Sequence, residues 1–202
     1  MQPFEIVTGK AAPILASNVD TDVIMPKQFL KGIDRSGLDK GVFFDLRFLK
    51  SGDLNPEFVL NQPAWSAASF LVVGPNFGCG SSREHAVWGL KQLGVRALIG
   101  TSFAGIFYDN CQRNGVLAIQ LAESELRALA RVVSQQSTTT ISVDLPNQTI
   151  KLSDGSAIAF KIDGLRKESL MLGLDAIGST LQKSEQIRAF ETQHLAQNPW
   201  LG

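Results

Sequence analysis

The chain has little of what specialised architectures require. Of its 202 residues only two are cysteine, Cys79 and Cys111, too few for a disulfide framework and, alone, for a zinc or iron–sulfur site. Neither sign of charge is in excess: 19 Lys+Arg balance 19 Asp+Glu, and the basic residues form no cluster. The electrostatic footprint of general nucleic-acid binding is therefore missing. Apolar runs such as Phe70 to Val73 and Val116 to Ile119 stop far short of a membrane span. The start, Met1-Gln2-Pro3-Phe4-Glu5, lacks the charged-then-apolar pattern of a secretory signal. Together these absences predict a cytoplasmic protein with neither membrane nor nucleic acid as partner. The two histidines, His85 and His194, are far apart in sequence, which argues against a metal site and gives His85 a structural role. What is present is 44% hydrophobic residues in a chain long enough to bury a core without staples.

Patterning along the chain predicts an α/β fold. Phe4 to Thr8 and Ala12 to Leu15 read as two short strands, and Gly32 to Asn61, rich in Gly, Asp, Lys and Asn around Val42-Phe43-Phe44, as a long mobile excursion. Ser69 to Gly74 is a nearly continuous apolar run, as a strand buried on both faces requires. A helix follows from Ser82 to Leu93, closed by Gly94, then a strand Val95 to Gly100, a helix Phe103 to Asn114 ended by Gly115, and a strand Val116 to Leu121. Such β-α-β-α-β order implies parallel strands with right-handed crossovers, and a ligand site beyond their carboxyl ends. Further on, Glu123 to Gln135 reads as a helix. Thr138 to Leu145, Thr149 to Leu152 and Ala157 to Ile162 read as a β-meander turning at Pro146-Asn147 and Asp154-Gly155. Leu165 to about Leu195 is a helical tail interrupted between Gly173 and Gly178.

One stretch carries chemistry: Asn76-Phe77-Gly78-Cys79-Gly80-Ser81-Ser82-Arg83-Glu84-His85-Ala86, where the first buried strand turns into its helix. Gly78 and Gly80 let backbone approach a ligand, Ser81 or Ser82 can cap the helix, and the free amides with the dipole attract an anion. Arg83 adds a fork matched to a carboxylate. The plainer reading is a capped helix start with Glu84 nearby and Arg83 on the surface. Named alternatives fail on spacing. Arg83 stands where a dinucleotide fingerprint needs its third glycine, no lysine lies in the turn for a phosphate loop, and no glycine follows either serine at the distance of a nucleophile elbow. Cys79 has no neighbouring base and reads as a loop-packing residue; Cys111, inside an apolar helical pattern, reads as core.

That string, preceded by Asn18-Val19-Asp20-Thr21-Asp22-Val23-Ile24-Met25-Pro26-Lys27-Gln28-Phe29-Leu30, resembles the swivelling domain of the aconitase family, and within it the small-subunit branch of the isopropylmalate isomerases. The two strings stand in the family's order and the likeness runs to about residue 165. The resemblance implies one swivelling β/β/α domain over residues 1–202, with a mostly parallel central sheet, the extra β-meander, and 165–202 as a helical tail. It implies one half of a heteromeric hydro-lyase of leucine biosynthesis, active only with a large subunit that carries a [4Fe-4S] cluster. The family's cluster needs three cysteines, so no cofactor or metal is expected on this chain. The implied reaction removes and re-adds water, converting 2-isopropylmalate to 3-isopropylmalate through isopropylmaleate, with the cluster iron as Lewis acid on the leaving hydroxyl.

Carried over residue by residue, Ser81 takes the place of the catalytic serine that removes a proton next to a carboxylate, and Gly80 contributes to the glycine-rich backbone around it. Ser82 and Arg83 hold substrate carboxylates. Asp22 stands where the family has an active-site aspartate able to orient a cation or hydroxyl, while the reading from residues alone gives Asp20 turn-forming chemistry and leaves that option open for Asp22. Substrate choice in the family comes from the segment after Asp20-Thr21-Asp22, where Leu30 and Ile33 can face an isopropyl group and Lys31 or Arg35 a carboxylate. Two other readings stand beside this one: a sister hydratase acting on homoaconitate, citraconate or a related diacid, and a non-catalytic anion-binding module.

Overall fold

A computed structural model describes residues 1–31 and 35–201. Strand β1 (Ile6–Ile14) leads into a short helix α1 (Thr21–Ile24) and a long segment of 3-10 turns containing α2 (Phe44–Arg47). The alternating part follows as β2 (Phe70–Val73), α3 (His85–Gln92), β3 (Ala97–Gly100), α4 (Gly105–Asn114), β4 (Leu117–Gln120) and α5 (Glu123–Val133). The meander β5 (Thr140–Asp144), β6 (Thr149–Lys151) and β7 (Ala157–Ala159) precedes helices α6 (Gly164–Leu172), α7 (Ala176–Leu181) and α8 (Ser184–Gln197). The strands make one seven-stranded sheet in the order β4-β3-β2-β1-β5-β6-β7. The ladders from β4 to β1 are parallel and those from β1 through β5 and β6 to β7 antiparallel, so the meander extends the parallel half of this α/β sheet.

β1 is a single strand where the pattern predicts two. Its first half, Ile6 to Lys10, pairs antiparallel with β5, and its second half, Ala11 to Ile14, pairs parallel with β2. The chain changes neighbours without changing direction, and a change of neighbour leaves no mark on residue pattern.

Side chains of the parallel strands alternate between the two faces of the sheet, as a period of two demands. Leu71, Val73, Leu98 and Ala118 join one buried cluster with Ala86, Val87 and Leu90 of α3 and Phe107 and Cys111 of α4. Phe70, Val72, Ile99 and Leu117 join the other with Leu126, Leu129 and Val133 of α5 and Leu170 of α6. Each fully buried large apolar side chain contributes roughly 1.5–3 kcal/mol. The excursion is anchored: Leu38, Val42 and Phe43 are buried in the first cluster, the Leu38 amide donates to Gln92 Oε1 of α3 (2.8 Å), and Trp65 Nε1 reaches Val133 O of α5 (2.8 Å). Of the apolar cluster noted in that excursion, Val42 and Phe43 are fully buried and tie it to the core.

The predicted turn at Pro146-Asn147 is built on Asp144, whose carboxylate oxygens accept from the Asn147 backbone and side-chain amides at 2.9 Å each. These bonds, side chain first, hold the Asp144 carboxyl below its ordinary value of 3.8. A carboxyl depressed in the folded state stabilises above its unfolded pKa and loses that contribution as pH falls through the folded value. Acidifying below about 4 is therefore expected to lower the thermal midpoint, and Asp144→Asn to flatten that dependence. Midpoints measured from pH 7 to pH 3 test this, and an unchanged slope in Asp144→Asn would contradict it.

Candidate active site

The loop after β2 approaches helix α1 closely. The Thr21 amide donates to Cys79 O (2.8 Å), Asp20 and Cys79 form an isolated parallel bridge, and the Gly78 amide donates to Val19 O (2.8 Å). Gly78 has φ +76, and a Cβ there would stand 2.1 Å from the Phe107 ring. Gly78→Ala is thus expected to lose about 3 kcal/mol through overpacking and a strained left-handed backbone. That is a thermal midpoint roughly 6–12 °C lower, readable by calorimetry. A midpoint within 1–2 °C of wild type, or about half a kcal/mol, would show that the loop yields instead of the fold.

These contacts bring together residues 60 apart: Ser81 Oγ lies 2.9 Å from Thr21 Oγ1. The Ser81 amide donates to that same Thr21 oxygen (3.2 Å), and Thr21 is only 1% exposed. Next to it the Arg83 guanidinium grips Asp22 through both terminal nitrogens, Nη1 to Oδ1 and Nη2 to Oδ2 (3.3 Å). The hydrogen bond from Arg83, followed by the charges of Arg83 and Lys27, holds the Asp22 carboxyl below its usual range against an opposing effect of burial. Of the two options for Asp22, orienting a cation is what the geometry displays. Asp20 is the turn former: its Oδ1 caps α1 by accepting from Val23 N (2.7 Å).

The helix expected from Ser82 begins at His85, and neither Ser81 nor Ser82 caps it. The local pattern of two serines before Glu84 suggests a cap, but bonds to Thr21 and Asn110 keep residues 81–83 outside the helix. Asn110, 5% exposed on α4, donates from Nδ2 to Ser82 O (3.3 Å). The helix end that faces the serines belongs to α4. Its first intrahelical bond runs from Tyr108 N to Ala104 O (2.9 Å), so the amides of Gly105, Ile106 and Phe107 have no partner within the helix. They line a cleft of about 170 Å³ with Gly78, Gly80, Ser81 and Ser82. The helix N-terminus that shares this cleft with the serines is that of α4. A larger cleft of about 440 Å³ lies between Leu15, Pro75 and the Leu126 and Ala130 of α5; the charged side chains lining it are the Glu123–Arg127 surface pair, and no residue of the motif lines it.

The remaining sequence candidates fall around this cleft or away from it. Leu30 is half-buried and packs against the first core cluster. Ile33 lies outside the described residues. Arg35 stacks its guanidinium 3.9 Å from the centroid of Trp88, which also carries His85 at 4.7 Å. Thr21 and Asn110 are the members that sequence reasoning missed. For Asn110 a signal existed, a polar residue beside Cys111 on the apolar side of α4; for Thr21 only its place between two singled-out aspartates.

Among the described residues no group of three or more His, Cys, Asp or Glu is placed to hold a metal. The donor set does not fit an iron–sulfur cluster: Cys111 is fully buried, with its thiol pushed up by burial, and Cys79 donates its thiol to Asn18 O (3.4 Å). Nor is any helix among the described residues long and apolar enough to cross a membrane.

Comparison with known proteins agrees with this geometry. Residues 1–124 match the model of the aconitase C-terminal domain family, 127–164 that of LeuD_N, and 177–202 that of the C-terminal domain of 3-isopropylmalate dehydratase small subunits. The tail, whose resemblance looked less distinctive, thus matches a family model of its own. A protein of Mannheimia succiniciproducens named 3-isopropylmalate dehydratase small subunit 1 is 62% identical over 100% of this chain and 99% of its own length. Salmonella typhimurium small subunit 2 is 57% identical over 100% and 96%. A crystal structure of 3-isopropylmalate dehydratase from Methanocaldococcus jannaschii superposes with a TM-score of 0.68 at 28% identity, covering 92% of this chain and 99% of that one. Matching these relatives over their length and sharing the fold of the archaeal structure, the chain belongs to the family of 3-isopropylmalate dehydratase small subunits.

Proposed function

We propose that this chain is the small subunit of a heteromeric hydro-lyase that interconverts 2-isopropylmalate and 3-isopropylmalate through isopropylmaleate, working in the cytoplasm in leucine biosynthesis. The [4Fe-4S] cluster belongs to the large subunit, since the thiols of this chain do not fit one. The observation that carries the reading is that, in a chain of this family, Ser81 and Ser82 share one cleft with the N-terminal residues of α4, and the Asp22–Arg83 pair stands on the residues next in sequence to Thr21 and Ser82.

In that reading the Ser81 alkoxide takes the proton from the carbon next to a carboxylate, and the hydroxyl leaves from the neighbouring carbon to give the double bond. Water then returns with the positions exchanged: hydroxyl to the carbon that lost the proton, proton to the carbon that lost the hydroxyl. A serine hydroxyl is a poor base in water, so its alkoxide needs donors. Thr21 O–H, at 2.9 Å, is one of them. Gly80, whose φ of +95 suits glycine, brings its backbone to the substrate beside Ser81; Ser82 and the α4 amides take one carboxylate, and Arg83, oriented by Asp22, takes the other. Recognition of the isopropyl group is assigned to Leu30 and Ile33.

Two measurements check this. Thr21→Val keeps shape but removes the hydroxyl, and is expected to lower kcat about tenfold to a hundredfold with KM unchanged, while Thr21→Ser restores it. A wild-type kcat in Thr21→Val would remove Thr21 from the account. For the substrate, the chain mixed with its large subunit is expected to hydrate isopropylmaleate with a kcat/KM at least tenfold above that for citraconate, because a buried branched alkyl group adds about 1–3 kcal/mol of binding. The reverse preference would assign a sister diacid.

A further inference from the structure

Among the described residues the last α-helix, α8, buries no side chain over its 14 positions, and isolated helices of that length are marginal in water. Exposed apolar side chains recur from α7 to the end of the described chain: Ile177, Leu181, Phe190, Leu195, Trp200 and Leu201 are exposed by 45% (Leu195) to 75% (Trp200). At roughly 200 Å² per side chain these exposures leave on the order of 800 Å² of apolar surface in water. A stable interface of standard size covers about the same area on each partner. Charges along the segment balance, Lys183 and Arg188 against Glu185 and Glu191. It therefore lacks the cationic face with which an amphipathic helix binds a membrane surface, and a protein partner is the fit.

The attachment of this segment points to which protein. α6, at its root, is fastened to α4: Arg166 pairs with Asp109 (2.7 Å) and lies over the Tyr108 ring (4.7 Å), and Gln112 Nε2 donates to Arg166 O (3.2 Å). One turn before Asp109 on the same helix stands Ile106, which lines the cleft and is 59% exposed. A partner that closes the cleft meets α4 within one turn of the tail's anchor, whereas a second copy of this chain could cover the tail and still leave the cleft without its cluster. Residues 177–202 are also the ones that match the C-terminal family model of the small subunits. We infer that the apolar face of α7 and α8, ending in Trp200 and Leu201, is a docking surface for the large subunit. The inference rests on the function proposed above.

The test uses the full chain and the cluster-loaded large subunit from the same genome, mixed anaerobically. Hydrogen exchange of the wild-type chain is expected to slow at least tenfold across 184–197 when the large subunit is added. Phe190→Glu combined with Trp200→Glu is expected to raise the dissociation constant at least 30-fold, with full activity recovered at saturating small subunit. Gln193→Ala, a polar change on the same helix, is expected to leave it unaltered. Unchanged exchange together with an unchanged constant in the double variant, in a wild-type mixture that binds and turns over, overturns the docking surface and leaves the proposed function standing. A wild-type mixture that forms no complex overturns both. Sedimentation of the chain alone as a dimer that the double variant abolishes would assign the face to a second copy, against this inference.

Discussion

Replacing Ser81 by alanine is expected to lower turnover of the assembled enzyme by about 10³-fold while leaving KM and assembly near wild type. The side chain lost is the hydroxyl that sits 2.9 Å from Thr21 Oγ1 at the mouth of the α4 cleft. No other hydroxyl replaces it, because Thr21 is only 1% exposed and Ser82 belongs to the carboxylate side. In the proposed mechanism the loss falls on kcat, because proton removal happens only in the transition state, whereas the carboxylate contacts assigned to Arg83 and the α4 amides form in the bound substrate as well. Ser81 packs little apolar surface, so the fold should not respond: a thermal midpoint within a degree or two separates lost chemistry from lost structure. A kcat within threefold of wild type in the Ser81→Ala complex would defeat the role assigned to this residue.

Arg83→Lys acts on the other constant. It keeps the positive charge but replaces a planar fork with a single ammonium point, and KM is expected to rise about 10- to 100-fold with kcat changed much less. The guanidinium is held by Asp22 through both terminal nitrogens, and 21% of the Arg83 side chain is exposed. Two of its five N–H groups serve Asp22, and the remaining donors are those available to a substrate carboxylate. Losing one charge-assisted hydrogen bond costs about 1.5–3 kcal/mol, which is the range of that KM change. Steady-state kinetics over a wide substrate range decides it: a fall in kcat at unaltered KM would move Arg83 from binding to transition-state stabilisation.

How far the residues alone reach can be judged from particular elements. β2, β3 and β4 were legible because strands buried on both faces are apolar throughout, and α4 because Gly115, in the left-handed conformation, ends it where predicted. The motif's place at the carboxyl end of β2 followed from the same alternation. Less legible was anything that depends on who sits beside whom. The unbroken β1 exchanges partners at Lys10 and Ala11, and the late start of α3 at His85 depends on Thr21 and Asn110 holding residues 81–83 aside. Local sequence carries the capping preference of serine but not the competing partner 60 residues away. For the same reason nothing local shows that Gly105, Ile106 and Phe107 of α4 line one cleft with the serines. Arg83 stands out from the motif itself and Asp22 through the family resemblance; their mutual ion pair emerges only in three dimensions.

The account's central claim is that this chain catalyses only as one half of a two-subunit hydro-lyase. It is tested most directly by following isopropylmaleate hydration and 3-isopropylmalate dehydration with the chain alone, with the cluster-loaded large subunit alone, and after anaerobic mixing of the two. The prediction is turnover in the mixture and none in either component. Turnover by either component alone, or a stable mixture inactive on both acids, would contradict it.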